Sequence, residues 1–238
     1  MYGFPAAQGF VPIRNDSNAV LASSYQTFPI SIGYAQNIFT GDPVTLTGGY
    51  MTSLFDFIEA NPPSGSSSLA ANENSAGAPL LGIFMGVSYI SSTDTTNPAQ
   101  PIRPYWPAST VTADGANAIG YYLPVNYEYG FTCQSLLTAP SQAIVGKWCP
   151  VKFSATGTNT GLVNGNTSTG QSLCTVDLAA GVLSSKIVPW TNATTNSWST
   201  FEVEALDYTN GKSGAEVQYG NVIIRLTNSA FPITFDHA

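Results

Sequence analysis

The stretch FEVEAL, residues 201–206, alternates apolar with acidic residues. Because successive side chains of a strand point to opposite faces, this pattern predicts a β-strand whose Phe, Val and Ala face a core while Glu202 and Glu204 face solvent. The stretch NVIIRL, residues 221–226, shows a similar alternation of one apolar and one mixed face. Together the two stretches indicate a sheet with one buried side.

Short runs of β-branched and aromatic residues recur along the rest of the chain, between clusters of Gly, Pro, Ser, Thr and Asn. The 22 Gly and 16 Pro interrupt every window in which an apolar stripe at helical spacing could develop. This composition predicts an all-β protein, built as a single barrel, a jelly-roll-like or a β-tulip-like domain. The other clear strands are expected at residues 28–34, 43–46, 80–89, 118–124 and 128–133.

The 238 residues suit one large β domain with a substantial core. Two segments, 61–79 and 155–169, are rich in Ser, Gly, Asn and Thr and are predicted to be long loops that project from that domain. Residues 1–18 are interpreted as an extended N-terminal arm, and residues 19–238 as the all-β domain itself. An edge strand of the same domain is the alternative for the N-terminal segment.

Charged residues make up only 9% of the chain, and seven basic against fourteen acidic residues give a net charge of -7. Nucleic-acid binding and polybasic membrane association both need a positive surface, so neither class of function is expected. The N-terminus lacks the basic and apolar regions of a signal peptide, and polar residues interrupt the uncharged stretch 17–41 too often for a membrane span.

No motif indicates a catalytic, cofactor-binding or metal site, and the protein is not expected to be an enzyme. The single histidine, His237, is next to the last residue, where it is poorly suited to serve as a catalytic base. The carboxylate pairs Asp56 with Glu59 and Glu202 with Glu204 are interpreted as surface charge. The three cysteines form no CxxC pair and are an odd number, so we expect free thiols.

Aromatic side chains occur in close pairs, which leaves a carbohydrate-binding or host-adhesion module as an alternative. Large rings also pack cores and interfaces, and no acidic cluster accompanies them to bind sugar hydroxyls. The residues concerned are Tyr105, Trp106, Tyr121, Tyr122, Tyr127, Tyr129, Trp190 and Trp198.

A more specific pattern lies in the order of several strand-like segments. The segments are GYAQNIFTGDPVTLTGG (33–49), LLGIFMGVSYI (80–90), PYWPASTVTADGANAIGYYLPVNYEYGFTCQ (104–134), TGQSLCTVDL (169–178) and FEVEALDYTNG (201–211). In this order, and with the opening YGFPAAQGFVPIRN (2–15), the chain resembles a family of virion structural proteins from tailed bacteriophages that includes head decoration (cement) proteins.

The resemblance implies a decoration protein of the virion, made in the cytoplasm of the bacterial host and bound to the outer capsid surface. Its partners would be the major capsid protein and further copies of itself, as a homotrimer or alternatively a dimer. It would stabilise the head against internal DNA pressure. Another virion role, as a major capsid or tail component, is the nearest alternative.

The N-terminal arm is the predicted contact with the capsid or with neighbouring copies. Phe4 and Val11 each precede a proline, which favours an extended backbone at these two residues. Tyr2, Phe4 and Phe10 are hypothesised to anchor the arm in pockets of its partner, and Arg14 is the only basic residue of the arm.

Overall fold

A computed structural model describes residues 9–13, 25–56, 80–92, 102–124, 130–135, 140–149, 151–152, 165–179, 183, 201–206 and 220–226. Over these residues the protein is all-β, as predicted, and its described helical parts are a short 3-10 helix at Gln142–Ile144 and a helical segment at 54–56. The strands are β1 (Val11–Ile13), β2 (Gln26–Ile30), β3 (Ile38–Phe39), β4 (Pro43–Thr47), β5 (Tyr50–Ser53), β6 (Leu80–Ser88), β7 (Tyr105–Trp106), β8 (Ala118–Pro124), β9 (Gly130–Gln134), β10 (Trp148–Cys149), β11 (Val151–Lys152), β12 (Gly165–Asn166), β13 (Gln171–Ser172), β14 (Thr175–Val176), β15 (Phe201–Leu206) and β16 (Asn221–Leu226).

Sheet I contains five antiparallel strands in the order β1-β9-β16-β15-β10. Strand β15 is the FEVEAL stretch, and its Phe201 and Val203 are fully buried while Glu204 is exposed. The pairing of β15 with β16 shifts between Val203 and Ala205, so Glu204 lies in a β-bulge. The alternation in the sequence therefore predicted the buried face correctly for Phe201 and Val203, whereas beyond the bulge Leu206 is buried and Ala205 is half-buried.

Sheet II contains five antiparallel strands in the order β2-β8-β6-β4-β5. Two register shifts in β6, one opposite Val44 and Thr45 and one between Phe84 and Gly86, bend the sheet. Cα atoms of the edge strands β2 and β5 consequently approach each other within 8 Å. Among the described residues no hydrogen-bonded ladder joins these two edges, so sheet II is an open, curled sheet and not a closed barrel, which was one of the forms expected.

The first hydrophobic core lies between the sheets. Sheet I contributes eight side chains, sheet II contributes three, and adjoining segments complete the core. The members from the two sheets are Phe131, Cys133, Cys149, Phe201, Val203, Leu206, Val222 and Ile224 from sheet I, and Leu80, Ile83 and Leu123 from sheet II.

The second core fills the concave side of sheet II. Its members come from all five strands of the sheet, from β3 and β7, and from the segment that follows β6. They are Ile30, Ile38, Val44, Met51, Phe84, Val87, Tyr89, Trp106, Ala118 and Tyr122. In the described residues, side chains of the second core cover the concave face of sheet II, and sheet I packs against part of its convex face.

The predicted loop 155–169 contains regular structure at its end. Strands β12 and β13 form a hairpin in which Gly165 pairs with Ser172, and the Asn166 side-chain oxygen accepts hydrogen bonds from two backbone N–H groups of the turn. Local Asn-Thr-Ser-Thr-Gly turn chemistry explains this hairpin. The expectation of a loop is therefore corrected for residues 165–166, which form a strand, whereas residues 167–169 lie in the turn. The other predicted loop, 61–79, lies outside the described residues.

Candidate functional site

The N-terminal segment was predicted to leave the domain, and the structure places its residues 9–13 inside the fold. Strand β1 pairs antiparallel with β9, with Val11 opposite Thr132 and Ile13 opposite Gly130. It is the edge strand of sheet I, where Pro12 is tolerated because an edge strand needs fewer backbone donors. The alternative, an edge strand of the same domain, is therefore correct for residues 11–13.

Phe10 is the only one of the four predicted contact residues that the structure describes. Its side chain is 1% exposed, stacks on Phe201 with ring centroids 5.1 Å apart, and meets the ring of Phe131 edge-on at 6.4 Å. The proposed role of Phe10 as an anchor in a partner is thus wrong, because its ring is buried in the core of its own chain. Tyr2, Phe4 and Arg14 lie outside the described residues, so their roles stay predictions.

A different surface is available for contact with another protein. Strand pairing places Ile119 of β8 opposite Pro29 of β2 on one side and opposite Ser88 of β6 on the other. An antiparallel bridge between Val87 and Arg103 places Ile102 beside Ser88. We call this line of side chains the outer row; it comprises Ser88, Ile119 and Pro29 from strands β6, β8 and β2, and Ile102 from the segment bridged to β6.

The outer row lies on the convex side of sheet II. Ile119 shares its face of β8 with Leu123, which packs against sheet I, whereas Ala118 and Tyr122 point into the second core. Ile102 is 60% exposed and Ile119 is 45% exposed. The outer row carries no ionisable side chain, so it is an uncharged, partly apolar strip on an acidic chain.

Two of the carboxylates considered for acid–base chemistry have structural partners, and Glu202 is half-buried on sheet I. Asp56 accepts a hydrogen bond of 3.1 Å from the Tyr34 hydroxyl, which in turn accepts one of 3.0 Å from the Ser53 N–H. Glu204 forms an ion pair with Arg225 on sheet I. Glu59 and His237 lie outside the described residues. Over the part of the chain that the structure describes, no group of His, Cys, Asp and Glu is suited to hold a metal ion.

The aromatic residues considered for sugar binding mostly pack internally where the structure describes them. Tyr105 stacks on Phe39 at 5.3 Å, and the buried ring of Trp106 meets Tyr89 edge-on at 5.2 Å. Tyr122 is buried in the second core, and Tyr121 is half-buried. Tyr127, Tyr129, Trp190 and Trp198 lie outside the described residues. The described rings therefore form no exposed platform.

The three cysteines are free, as predicted, and all are buried. Burial raises the pKa of each thiol, which keeps it protonated and poorly nucleophilic. The Cys174 thiol donates to Oδ1 of Asp42 over 3.3 Å. Asp42 is itself 0% exposed, although the sequence places it after a glycine and before a proline, where a solvent-exposed turn is the usual expectation.

Sequence reasoning missed both Asp42 and the outer row. The low overall charge was the only sequence signal that bore on the outer row, and it does not identify the exposed residues. No family model, curated protein or solved structure matches the chain. In the described residues, no helix has the length and apolar character needed to cross a membrane.

Proposed function

We propose that this protein is a decoration (cement) protein of a tailed-bacteriophage head. It binds the outer surface of the capsid and stabilises the head against the pressure of the packaged DNA. The observation that carries the proposal is the ordered series of sequence segments that resembles the virion structural family. These segments coincide with β4, β6, β7, β8, β9 and β15, which supports reading them as the framework of one fold.

The electrostatics of the chain support an outer rather than an inner location. A net charge of -7 repels the phosphates of packaged DNA, whereas the outer surface of a shell is separated from that DNA by the coat. The described residues also bring together no group of His, Cys, Asp and Glu suited to hold a metal ion. A protein that acts by binding alone needs none.

The outer row supplies a surface suited to a protein partner. Its exposed apolar members, Ile102, Ile119 and Pro29, favour contact with another protein when the surrounding surface is polar, whereas Ser88 between them is buried. The row is smaller than the roughly 800 Å² per partner of a stable interface, so other surfaces must contribute. Tyr2, Phe4 and Arg14 of the N-terminal segment remain the predicted second contact.

The proposed partners are the major capsid protein and other copies of this chain. Local three-fold axes of a shell present three equivalent positions, so a homotrimer is the expected assembly, with a dimer as the alternative. Several weak contacts made by one oligomer would add up to tight binding. Light scattering after size-exclusion chromatography measures the assembly, and a monomer both in solution and on the particle would contradict it.

The decisive experiment uses phage particles stripped of this protein. We expect stripped particles to release DNA at a lower temperature than intact ones, and the purified protein to restore the higher temperature. The Ile119→Asp variant, which places a charge in the outer row, is expected to restore it only at higher protein concentration. The matched control is Val111→Asp, because Val111 is also exposed, at 55%, but lies outside the outer row.

Other outcomes would identify the alternatives. Equal DNA release from stripped and decorated particles would contradict the stabilising role. Cryo-electron microscopy that finds the chain forming the continuous shell or the tail would favour a major capsid or tail component. Binding to host glycans together with the absence of binding to capsids would favour the adhesion module.

A further inference from the structure

The carboxyl group of Asp42 is buried at a junction of several segments. It lies in the turn between β3 and β4 and is 0% exposed. Oδ2 accepts a hydrogen bond of 2.8 Å from the Phe39 N–H, and Oδ1 accepts one of 3.3 Å from the Cys174 thiol. The Ser172 hydroxyl is a third hydrogen-bond partner. Asp42 therefore connects its own turn to the segment that contains β13.

Backbone hydrogen bonds make this turn the meeting point of three further parts of the fold. The Gly41 carbonyl accepts from the Phe10 N–H over 3.0 Å, which attaches the N-terminal strand. The Gly41 N–H donates to the Phe84 carbonyl of β6 over 2.8 Å. The Thr40 carbonyl accepts from the Ser172 N–H over 2.9 Å, which attaches the β12–β13 hairpin.

Two opposing effects act on the Asp42 carboxyl. Its hydrogen bonds with Phe39, Ser172 and Cys174 favour the ionised form, whereas burial disfavours it. Burial is the larger effect and raises the pKa of Asp42 to about 7.

The titratable groups that face Asp42 do not bring its raised pKa back to the ordinary value. Cys174 donates to the carboxyl, and Tyr34, from the β2–β3 connection, interacts with it electrostatically. Cys133 of β9 acts on Cys174 in turn. These three groups are neutral at neutral pH, and among the described residues no basic side chain contributes to the pKa of Asp42.

We propose that Asp42 is a pH-sensitive latch that attaches residues 9–13 and the β12–β13 hairpin to sheet II more firmly when protonated than when ionised. In the closed junction the carboxyl is buried, and in an opened junction it is hydrated and has the ordinary aspartate pKa of about 3.9. The closed junction therefore binds the proton more tightly than the open one. By linkage, raising the pH from about 4 to about 7 favours opening, by up to about tenfold per pH unit, and the effect levels off above that range.

Amide hydrogen exchange, corrected for the intrinsic effect of pH, tests this latch on the full chain. Between pH 5 and pH 7 we expect the protection of the Phe10, Thr40 and Ser172 amides to fall by up to about 100-fold. In Asp42→Asn, which cannot ionise, their protection should be independent of pH. The matched control Asp56→Asn, which alters a partly exposed carboxyl outside the junction, should keep the pH dependence of the wild type.

Two results would overturn the latch. One is unchanged protection in the wild type between pH 5 and pH 7, or an equal fall at Val203 of β15 in sheet I, which would show a whole-fold effect. The other comes from carbon NMR of the wild-type carboxyl groups, which remains informative if Asp42→Asn does not fold. A titration midpoint of Asp42 near the ordinary value would contradict the proposal.

Discussion

At the scale of single residues, Phe10 closes the core between the two sheets. Its ring lies against Phe131 of β9 and Phe201 of β15, so it bridges two strands that are separated by β16 in the sheet. Val11, the next residue, is 36% exposed and points away from that core. Phe10 therefore contributes to the stability of the core, whereas Val11 lies at the surface.

Truncating Phe10 should cost far more stability than truncating Val11. For Phe10→Ala we expect a loss of about 3–5 kcal/mol in the free energy of unfolding, because a fully buried ring leaves a cavity. For Val11→Ala the expected loss is below about 1 kcal/mol. Urea unfolding followed by tryptophan fluorescence measures both, and equal effects would contradict the placement of Phe10 in the core.

At the scale of elements, β1 is a three-residue edge strand attached to sheet I through β9 and to the β3–β4 turn through Phe10. Strand β1 pairs with β9 and forms one edge of sheet I. Because Pro12 has no backbone N–H, it limits the addition of another strand to this edge. Within the described part of the N-terminal segment, the contacts that support the fold include those of Phe10 and of β1.

Two truncations should separate folding from binding. Removing residues 1–8 deletes Tyr2 and Phe4 but retains Phe10, so we expect unchanged thermal stability and weaker binding to stripped capsids. Removing residues 1–10 also deletes the Phe10 ring, so we expect a clearly lower melting temperature. Capsid binding by the shorter truncation as tight as that of the full chain would disprove the predicted contact role of Tyr2 and Phe4.

At the scale of the whole molecule, the first core takes side chains from both sheets. Ile83 and Leu123 of sheet II pack with Val203 and Ile224 of sheet I in this core. Neither sheet can expose the face that packs in this core without exposing that of the other. The two sheets therefore form one cooperative unit, although the chain has a second core inside the curl of sheet II.

We expect the protein to unfold in a single transition. Far-ultraviolet circular dichroism reports on both sheets, and near-ultraviolet circular dichroism reports on the packed aromatic rings of the cores. The two signals should change at the same urea concentration. Two separated midpoints would mean that the curled sheet and sheet I unfold independently.

The sequence by itself determined the strands whose pattern is local. The runs at 201–206 and 221–226 coincide with β15 and β16, because alternation of apolar and polar residues needs only one buried face to be recognised. The run of apolar and aromatic residues at 118–124 coincides with β8. The all-β class and the free thiols followed from composition and from the cysteine count. The expected strand 28–34 was displaced relative to β2, which spans Gln26–Ile30, because strand ends depend on pairing partners.

Only the tertiary structure decided how these strands combine. The burial of Phe10, the hydrogen bonds of Asp42 with Ser172 and Cys174, and the outer row all join residues that are far apart in the chain. The curl of sheet II depends on register shifts between paired strands, which no single strand encodes. Local patterns specify which side of a strand is buried, whereas the identity of the group that buries it is set by long-range pairing and packing.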